Sequence, residues 1–175
     1  MPKALIIVSD SDLKGISHKM VVPSLKLFYK KLEWDVEVLD LIESQFTSLG
    51  NSGILFKKYI NAYKNSIKTA RDIHFITETN LGALSPELEK FFKDVLVEGF
   101  AYNNKGLLDG RAFFHLHHKK VTLIPFNLPW FRIRFSKLNS IFKKSKIFQT
   151  KSEKMSTKDR LKYMNSIKTK IRNGK

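Results

Sequence analysis

The sequence contains no cysteine, so disulfide bonds, thiolate metal sites and a cysteine nucleophile are all excluded. It also lacks an apolar run near the roughly 18 uncharged residues that a membrane span requires. The apolar start at residues 4–8 is too short for the core of a signal peptide. Acidic residues are scarce, at 16 against 32 Lys and Arg. These absences predict a soluble, cytoplasmic and strongly basic protein.

The composition is sufficient for a folded core. Hydrophobic residues make up 42% of the 175 residues and aromatic residues 12%. This length suits one domain spanning residues 1–175. The charge is uneven, because residues 1–100 hold 13 basic and 13 acidic residues whereas residues 101–175 hold 19 and 3. The basic half is typical either of an ordinary solvated surface or of a surface that contacts a polyanion.

Short β-branched or alternating segments alternate with segments of helical period. The alternation predicts an α/β protein with a three-layer, doubly wound, parallel five-stranded sheet. The predicted strands cover residues 3–9, 35–41, 73–77, 121–124 and 147–149, and the predicted helices cover 21–32, 53–70, 85–96, 138–142 and 156–171.

Several helix starts are marked by their residues. Ser85 is predicted to cap a helix that continues through Pro86, and Ser156 with Asp159 resembles a capping box. Pro23 is compatible with the first helix only near its first turn. His74 lies inside the third strand and is interpreted as a hydrogen-bonded core residue.

Ligands of doubly wound sheets bind at the carboxyl ends of the strands, which directs attention to the loops at 9–18, 78–84 and 125–131. In the first loop, helix-start N–H groups and the hydroxyls of Ser9, Ser11 and Ser17 are suited to a phosphate. Asp10 and Asp12 would repel one, so a phosphate site and a plain connecting turn both stay open. The glycine patterns of dinucleotide-binding folds and P-loops are absent.

Two further segments admit more than one interpretation. His115, His117 and His118 lack a neighbouring carboxylate, so ordinary histidines are favoured and no metal site is predicted. Residues 125–135 interleave aromatic and basic side chains. They are compatible with a planar-ligand site, with contact to phosphate backbones or anionic lipid, or with an ordinary packed segment. No specific nucleic-acid motif is present.

Residues 84–102 end in Gly99-Phe100-Ala101-Tyr102 after a helix with apolar Leu88, Phe91 and Val95. This segment resembles the flavodoxin-like NAD(P)H:quinone oxidoreductase (NAD(P)H dehydrogenase, quinone) family, whose members have a helix closing in Gly-Phe-Ala-Tyr/Phe. Leu39-Asp40-Leu41 followed by Phe46 is similar to the second strand of that family. The chain departs from the family at residues 79–81, where aromatic residues and proline are usual.

The resemblance implies a flavodoxin-like sheet with strand order 2-1-3-4-5 and a homodimer. It implies bound FMN, with FAD as an alternative, and NAD(P)H as the co-substrate that reduces a small-molecule acceptor. Carried over by position, the residues that would bind the cofactor are Ser9, Ser11, Ser17 and His18 in the first loop, Thr79, Asn80, Leu81, Gly82 and Ala83 in the second, and Asn127 and Trp130 in the third. No catalytic side chain is implied.

Two functions are therefore predicted. The first is a flavin-dependent NAD(P)H oxidoreductase that reduces quinones or similar acceptors. The alternative is a flavodoxin-like protein with weakened flavin binding, acting as a regulatory or binding module through its basic C-terminal half. A polyanion or a membrane protein would be its partner, since some members of the family regulate membrane transporters.

Overall fold

A computed structural model describes residues 1–13, 15–48, 53–80, 83–97, 100, 120–126, 146–147 and 156–173. Within these ranges, no helix has the length and apolar character needed to cross a membrane. The predicted fourth helix at 138–142 and the histidines at 115–118 lie outside the described residues.

The strands form one twisted sheet. They are β1 (Lys3–Ser9), β2 (Asp35–Asp40), β3 (Asp72–Asn80), β4 (Ala83–Leu84), β5 (Lys120–Phe126) and β6 (Lys146–Ile147). The sheet order is β2-β1-β3-β5-β6, and these neighbours are parallel, while β4 pairs with β3 antiparallel. The four long parallel strands confirm the predicted class and the order 2-1-3-4. Of the predicted fifth strand at 147–149, the structure describes β6 (Lys146–Ile147), which pairs parallel with β5, and residues 148–149 lie outside the described residues.

The helices start and end close to the predicted limits. A π-helical turn (Ser17–Val21) continues directly into α1 (Val22–Lys30), and a 3₁₀ turn covers Phe46–Ser48. The other helices are α2 (Ile54–Thr69), α3 (Pro86–Asp94) and α4 (Thr157–Arg172). Pro23 is the second residue of α1, directly after the π-helical turn, and donates no backbone hydrogen bond there.

Alternating side chains of the sheet build two separate cores. Leu5, Ile7, Ile73 and Phe75 pack against α2 and α3 on one face. Ala4, Ile6, Val8, Ile76 and Ile124 pack against α1 and α4 on the other face. Because successive residues of a strand point to opposite faces, a strand buried on both sides is continuously apolar, as β1 is. The helices on both faces confirm the three-layer arrangement.

Several apolar residues that the helical period of α2 and α4 would place in the core are not buried. Ile54 and Leu55 at the start of α2 are 87% and 68% exposed, and Leu161 in α4 is 62% exposed. The core of α2 instead uses Ile60, Tyr63 and Ile67. Helical period alone cannot say where a stripe stops, because it does not show which turns of a helix lie over the sheet.

Candidate functional site

The carboxyl ends of β1, β2 and β3 meet at one edge of the sheet. Val8 lies beside Asp40 of β2, and Ser9 lies beside Thr77 of β3. Thr77 in turn lies beside Pro125 of β5. The polar segments that follow these strands are therefore neighbours, as the topology of doubly wound sheets requires.

The first loop turns tightly into the first helix. The N–H of Gly15 donates to the carbonyl oxygen of Asp12 at 2.8 Å, and the N–H of Lys19 donates to the carbonyl of Gly15 at 3.0 Å. A Cβ on Gly15 would lie 2.9 Å from that Asp12 oxygen, closer than real contacts allow. Glycine is therefore needed here for close approach of the backbone. The turn leaves the first N–H groups of the helix directed at the loop.

Ser17 is the first residue of the π-helical turn and is fully buried. Its hydroxyl has no hydrogen-bond partner among the described residues. Buried polar groups without a partner are rare, because each costs about 1–3 kcal/mol of desolvation. A hydroxyl of this kind at a helix start fits an anionic ligand that accepts a hydrogen bond from it. The phosphate-binding role of Ser17 stays a prediction.

His18 is held over the ends of β1 and β2. Its Nε2 lies 3.3 Å from the carbonyl oxygen of Asp10, and its Nδ1 lies 3.6 Å from a carboxylate oxygen of Asp40. If Nε2 carries a proton it donates to the Asp10 carbonyl, which leaves Nδ1 to interact with Asp40 when the ring is charged. Asp40 thus positions an imidazole that the sequence predicts beside a phosphate.

The carboxylates of Asp10 and Asp40, at the ends of β1 and β2, accept hydrogen bonds from backbone N–H groups of their own turns. One Asp10 oxygen accepts from the N–H of Asp12 at 3.0 Å. One Asp40 oxygen accepts from the N–H groups of Ile42 at 2.9 Å and Glu43 at 3.0 Å. These bonds hold each carboxylate against its own turn, and the negative charge of both groups stays beside the first loop.

Ser9 faces away from the first helix. As an odd-numbered residue of β1 it lies on the α3 side, fully buried, with its hydroxyl hydrogen-bonded to that of Ser85. Thr77 donates to the same Ser85 oxygen at 3.4 Å. Ser85 also accepts from the N–H of Leu88 at 3.3 Å and so caps α3, as predicted. The Ser9 hydroxyl is therefore engaged within the protein, whereas Ser11 is exposed.

The second predicted segment is a hairpin rather than an open loop. Thr79 pairs with Leu84 and Asn80 with Ala83 in an antiparallel ladder. The ladder uses backbone groups of the segment that the resemblance directs at a flavin ring. Leu81 and Gly82, and in the third segment Asn127 and Trp130, lie outside the described residues.

A second polar cluster lies near the opposite edge of the sheet, on the α1 side. The hydroxyl of Tyr29 donates to a carboxylate oxygen of Asp72 at 2.8 Å and lies 2.6 Å from Nε2 of His74. All three residues are buried. Burial lowers the pKa of His74 to about 3, so the ring is neutral. Because the O–H of Tyr29 donates to Asp72, the Tyr29 oxygen can accept from His74 in the tautomer that carries its proton on Nε2. Burial also raises the pKa of Asp72 and of Tyr29.

Sequence reasoning missed three residues of the site, namely Asp40, Thr77 and Ser85. In the sequence, Asp40 is recognisable only as part of a strand motif and Ser85 only as a helix cap. Alternation along β1 and β3 would have placed Ser9 and Thr77 on one face. Their shared partner is 76 residues from Ser9, a pairing that no local pattern reveals. No group of three or more metal-ligating side chains is present in the described part of the chain.

Comparisons with known proteins bear on the fold. No protein-family model matches the sequence, and no curated protein is significantly similar to it. A Streptococcus mutans protein of known structure is 22% identical with a TM-score of 0.70, covering 98% of this chain and 99% of that one. The NAD(P)H:quinone oxidoreductase of Methanothermobacter marburgensis is 13% identical with a TM-score of 0.66, covering 98% and 96%.

An FMN-dependent NADH-azoreductase of Bacillus anthracis, solved in complex with FMN, is 14% identical with a TM-score of 0.65, covering 98% of this chain and 97% of that one. At such identities the likeness establishes a shared fold. That fold is the flavodoxin-like one of quinone reductases and azoreductases, in agreement with the resemblance carried by residues 84–102.

Proposed function

We propose that the protein is a flavin-dependent NAD(P)H oxidoreductase that reduces quinones or similar acceptors, with FMN as its cofactor. The observation that carries the proposal is the buried hydroxyl of Ser17, which has no hydrogen-bond partner among the described residues. Ser17 is the first residue of the helical turn that follows β1, at the carboxyl edge of a flavodoxin-like sheet. Structural neighbours that include an FMN-bound azoreductase and a quinone oxidoreductase support it.

The residues of the first loop fit a flavin phosphate. The Ser17 hydroxyl and the first N–H groups of the helix would donate to phosphate oxygens. His18, held by the Asp10 carbonyl and the Asp40 carboxylate, would add a donor or a positive charge beside them. A bound flavin supplies the hydride chemistry, accepting a hydride from NAD(P)H and passing it to the acceptor.

The first test is titration of the purified protein with FMN, followed by assay of NAD(P)H oxidation with a quinone. We expect micromolar or tighter binding and quinone-dependent turnover. Ser17→Ala is expected to weaken FMN binding by about 10- to 100-fold, the range for a charge-assisted hydrogen bond. Ser66→Ala is the matched control, because its hydroxyl donates to Glu37 at 2.7 Å in another part of the molecule.

The stability of the two variants separates binding from folding. Ser17→Ala removes an unpaired buried hydroxyl and is expected to leave the free energy of unfolding of the flavin-free protein unchanged or higher. Ser66→Ala is expected to lower it without changing FMN affinity. Equal FMN affinity of the Ser17 variant and the wild type would contradict the phosphate role of Ser17.

The same titration separates the two predicted functions. A wild-type protein that binds neither FMN nor FAD would support the alternative, a binding module with a disabled flavin site.

Homodimerisation also stays a proposal, and sedimentation at several protein concentrations tests it. A monomer at every concentration would contradict it. Location in the cytoplasm stays a prediction.

A further inference from the structure

The two helical faces of the sheet differ in charge. Residues 17–33 and 157–172, which form the α1 and α4 side, contain ten Lys and Arg and two acidic residues. Helices α2 and α3 on the other side contain six Lys and three acidic residues. Eight of the ten basic residues are exposed, namely Lys19, Lys26, Lys30, Lys31, Lys158, Lys162, Lys170 and Arg172. We refer to this surface as the basic face.

The basic face also exposes leucines beside its lysines. Leu27 is 53% exposed and follows Lys26, while Leu161 is 62% exposed and precedes Lys162. Leu32, at the end of the same segment as Leu27, is 45% exposed. A single exposed leucine is ordinary, but leucines set among exposed lysines give a surface both apolar anchors and positive charge.

Lipid fits this surface better than nucleic acid. Seven of the eight exposed basic residues are lysines, whereas recognition of nucleic acid favours arginine. The aromatic side chains of these segments pack in or against the core between the sheet and helices α1 and α4, and so they cannot stack on bases. They are Phe28, Tyr29 and Tyr163. Exposed leucines gain nothing from a phosphate backbone but do gain from the acyl boundary of a bilayer.

We propose that the basic face docks the protein on an anionic lipid surface. Lysines would contact lipid headgroups, and Leu27 and Leu161 would reach toward the acyl boundary. The proposal stands on charge and exposure and is independent of the flavin function, because vesicle binding is measured without flavin or NAD(P)H.

The experiment is sedimentation of the full chain with vesicles of phosphatidylglycerol and phosphatidylcholine, compared with vesicles of phosphatidylcholine alone. We expect binding only to the anionic vesicles, weakening as ionic strength rises from about 0.1 M to about 1 M. A triple variant that reverses three charges of the basic face is expected to bind the anionic vesicles at least about 100-fold more weakly, because each lysine near an anionic bilayer contributes to binding. Its substitutions are Lys26→Glu, Lys30→Glu and Lys162→Glu.

The matched control reverses the same charge on the other face. Lys57→Glu/Lys58→Glu/Lys93→Glu changes three exposed lysines of α2 and α3, and each triple variant includes one lysine in the last turn of a helix. Its affinity should fall far less than that of the first variant. Equal losses would show that only net charge matters and would overturn the basic face as the docking surface.

The leucines distinguish lipid from nucleic acid. Leu27→Ser/Leu161→Ser is expected to weaken vesicle binding by about tenfold, whereas Ile54→Ser/Leu55→Ser on α2 leaves it unchanged. Binding of duplex DNA is measured in parallel. Tighter binding to DNA than to anionic vesicles, unaffected by the leucine substitutions, would overturn the membrane proposal and make nucleic acid the partner. Circular dichroism confirms that each variant is folded.

Discussion

The buried imidazole of His74 makes the stability of the protein depend on pH. Burial lowers its pKa from 6.5 to about 3 in the folded chain. Between these values the unfolded chain binds a proton that the folded chain does not, so stability rises with pH and is lost as pH falls below about 6.5. Asp72 has the opposite sign, because burial raises its pKa and its ionisation at higher pH costs stability.

Replacing His74 by glutamine isolates its part of this dependence. Glutamine keeps an N–H donor for Tyr29 but does not titrate, and Asp72 is present in both proteins. As pH falls from about 6 to 4, the wild type should lose up to about 1.4 kcal/mol per pH unit more than His74→Gln. Urea unfolding at a series of pH values measures the difference. Parallel curves would show that His74 is not buried neutral.

Single residues were predicted unevenly from the sequence. The burial of His74 follows from its place between Ile73 and Phe75 in an apolar strand, and the structure confirms that it is a core residue. Its bond to Tyr29 joins residues 45 positions apart, and its Nδ1 has no partner among the described residues. Such pairings depend on how α1 packs on the sheet, which local sequence does not specify.

At the scale of elements, the start of α3 carries more than a helix cap. Ser85 caps the helix and also bonds Ser9 and Thr77 at the ends of β1 and β3. Ser85→Ala is expected to lower the free energy of unfolding by about 2 kcal/mol or more, since both a cap and buried hydroxyl bonds are lost.

Ser156→Ala in α4 provides the comparison. Ser156 accepts a hydrogen bond from the N–H of Asp159 at 3.2 Å but is exposed. Its replacement is therefore expected to lower the free energy of unfolding by only about 0.5–1 kcal/mol. Urea denaturation of both variants measures the difference. Equal effects would mean that the bonds of Ser85 to the sheet contribute nothing to stability.

Helix starts were predictable because a cap and its N–H lie three residues apart in the chain. The short strands β4 and β6 could not be predicted in the same way. The hairpin formed by Thr79, Asn80, Ala83 and Leu84 has too few residues for a period to show. β6 is described for two residues, which are also too few for an alternating pattern to show.

For the whole molecule, each face of the sheet depends on the helices that cover it. Ile167 of α4 is fully buried against the α1–α4 core, whereas Leu161 of the same helix is 62% exposed. Ile167→Ala is expected to lower the free energy of unfolding by about 2–4 kcal/mol, and Leu161→Ala by less than about 0.5 kcal/mol. Thermal and urea unfolding measure both. A large loss for Leu161→Ala would contradict its exposure, on which the membrane proposal also depends.

The layered architecture was predictable from alternation, because β1 is apolar at every position and so must be covered on both sides. The order of the strands came from the resemblance to a family, since the period of a strand does not name its neighbours. Which helices share a face followed only from the structure. The basic face therefore could not be assembled from the sequence, as α1 and α4 are about as far apart in the chain as any two helices.

β2 lies at one end of the sheet order and pairs on one side with β1. An unpaired strand edge can template addition of another chain. Of the six residues of β2, three are acidic: Asp35, Glu37 and Asp40. Pairing of two such edges would bring carboxylates together. Charge repulsion therefore opposes pairing of this edge with the same edge of a second copy.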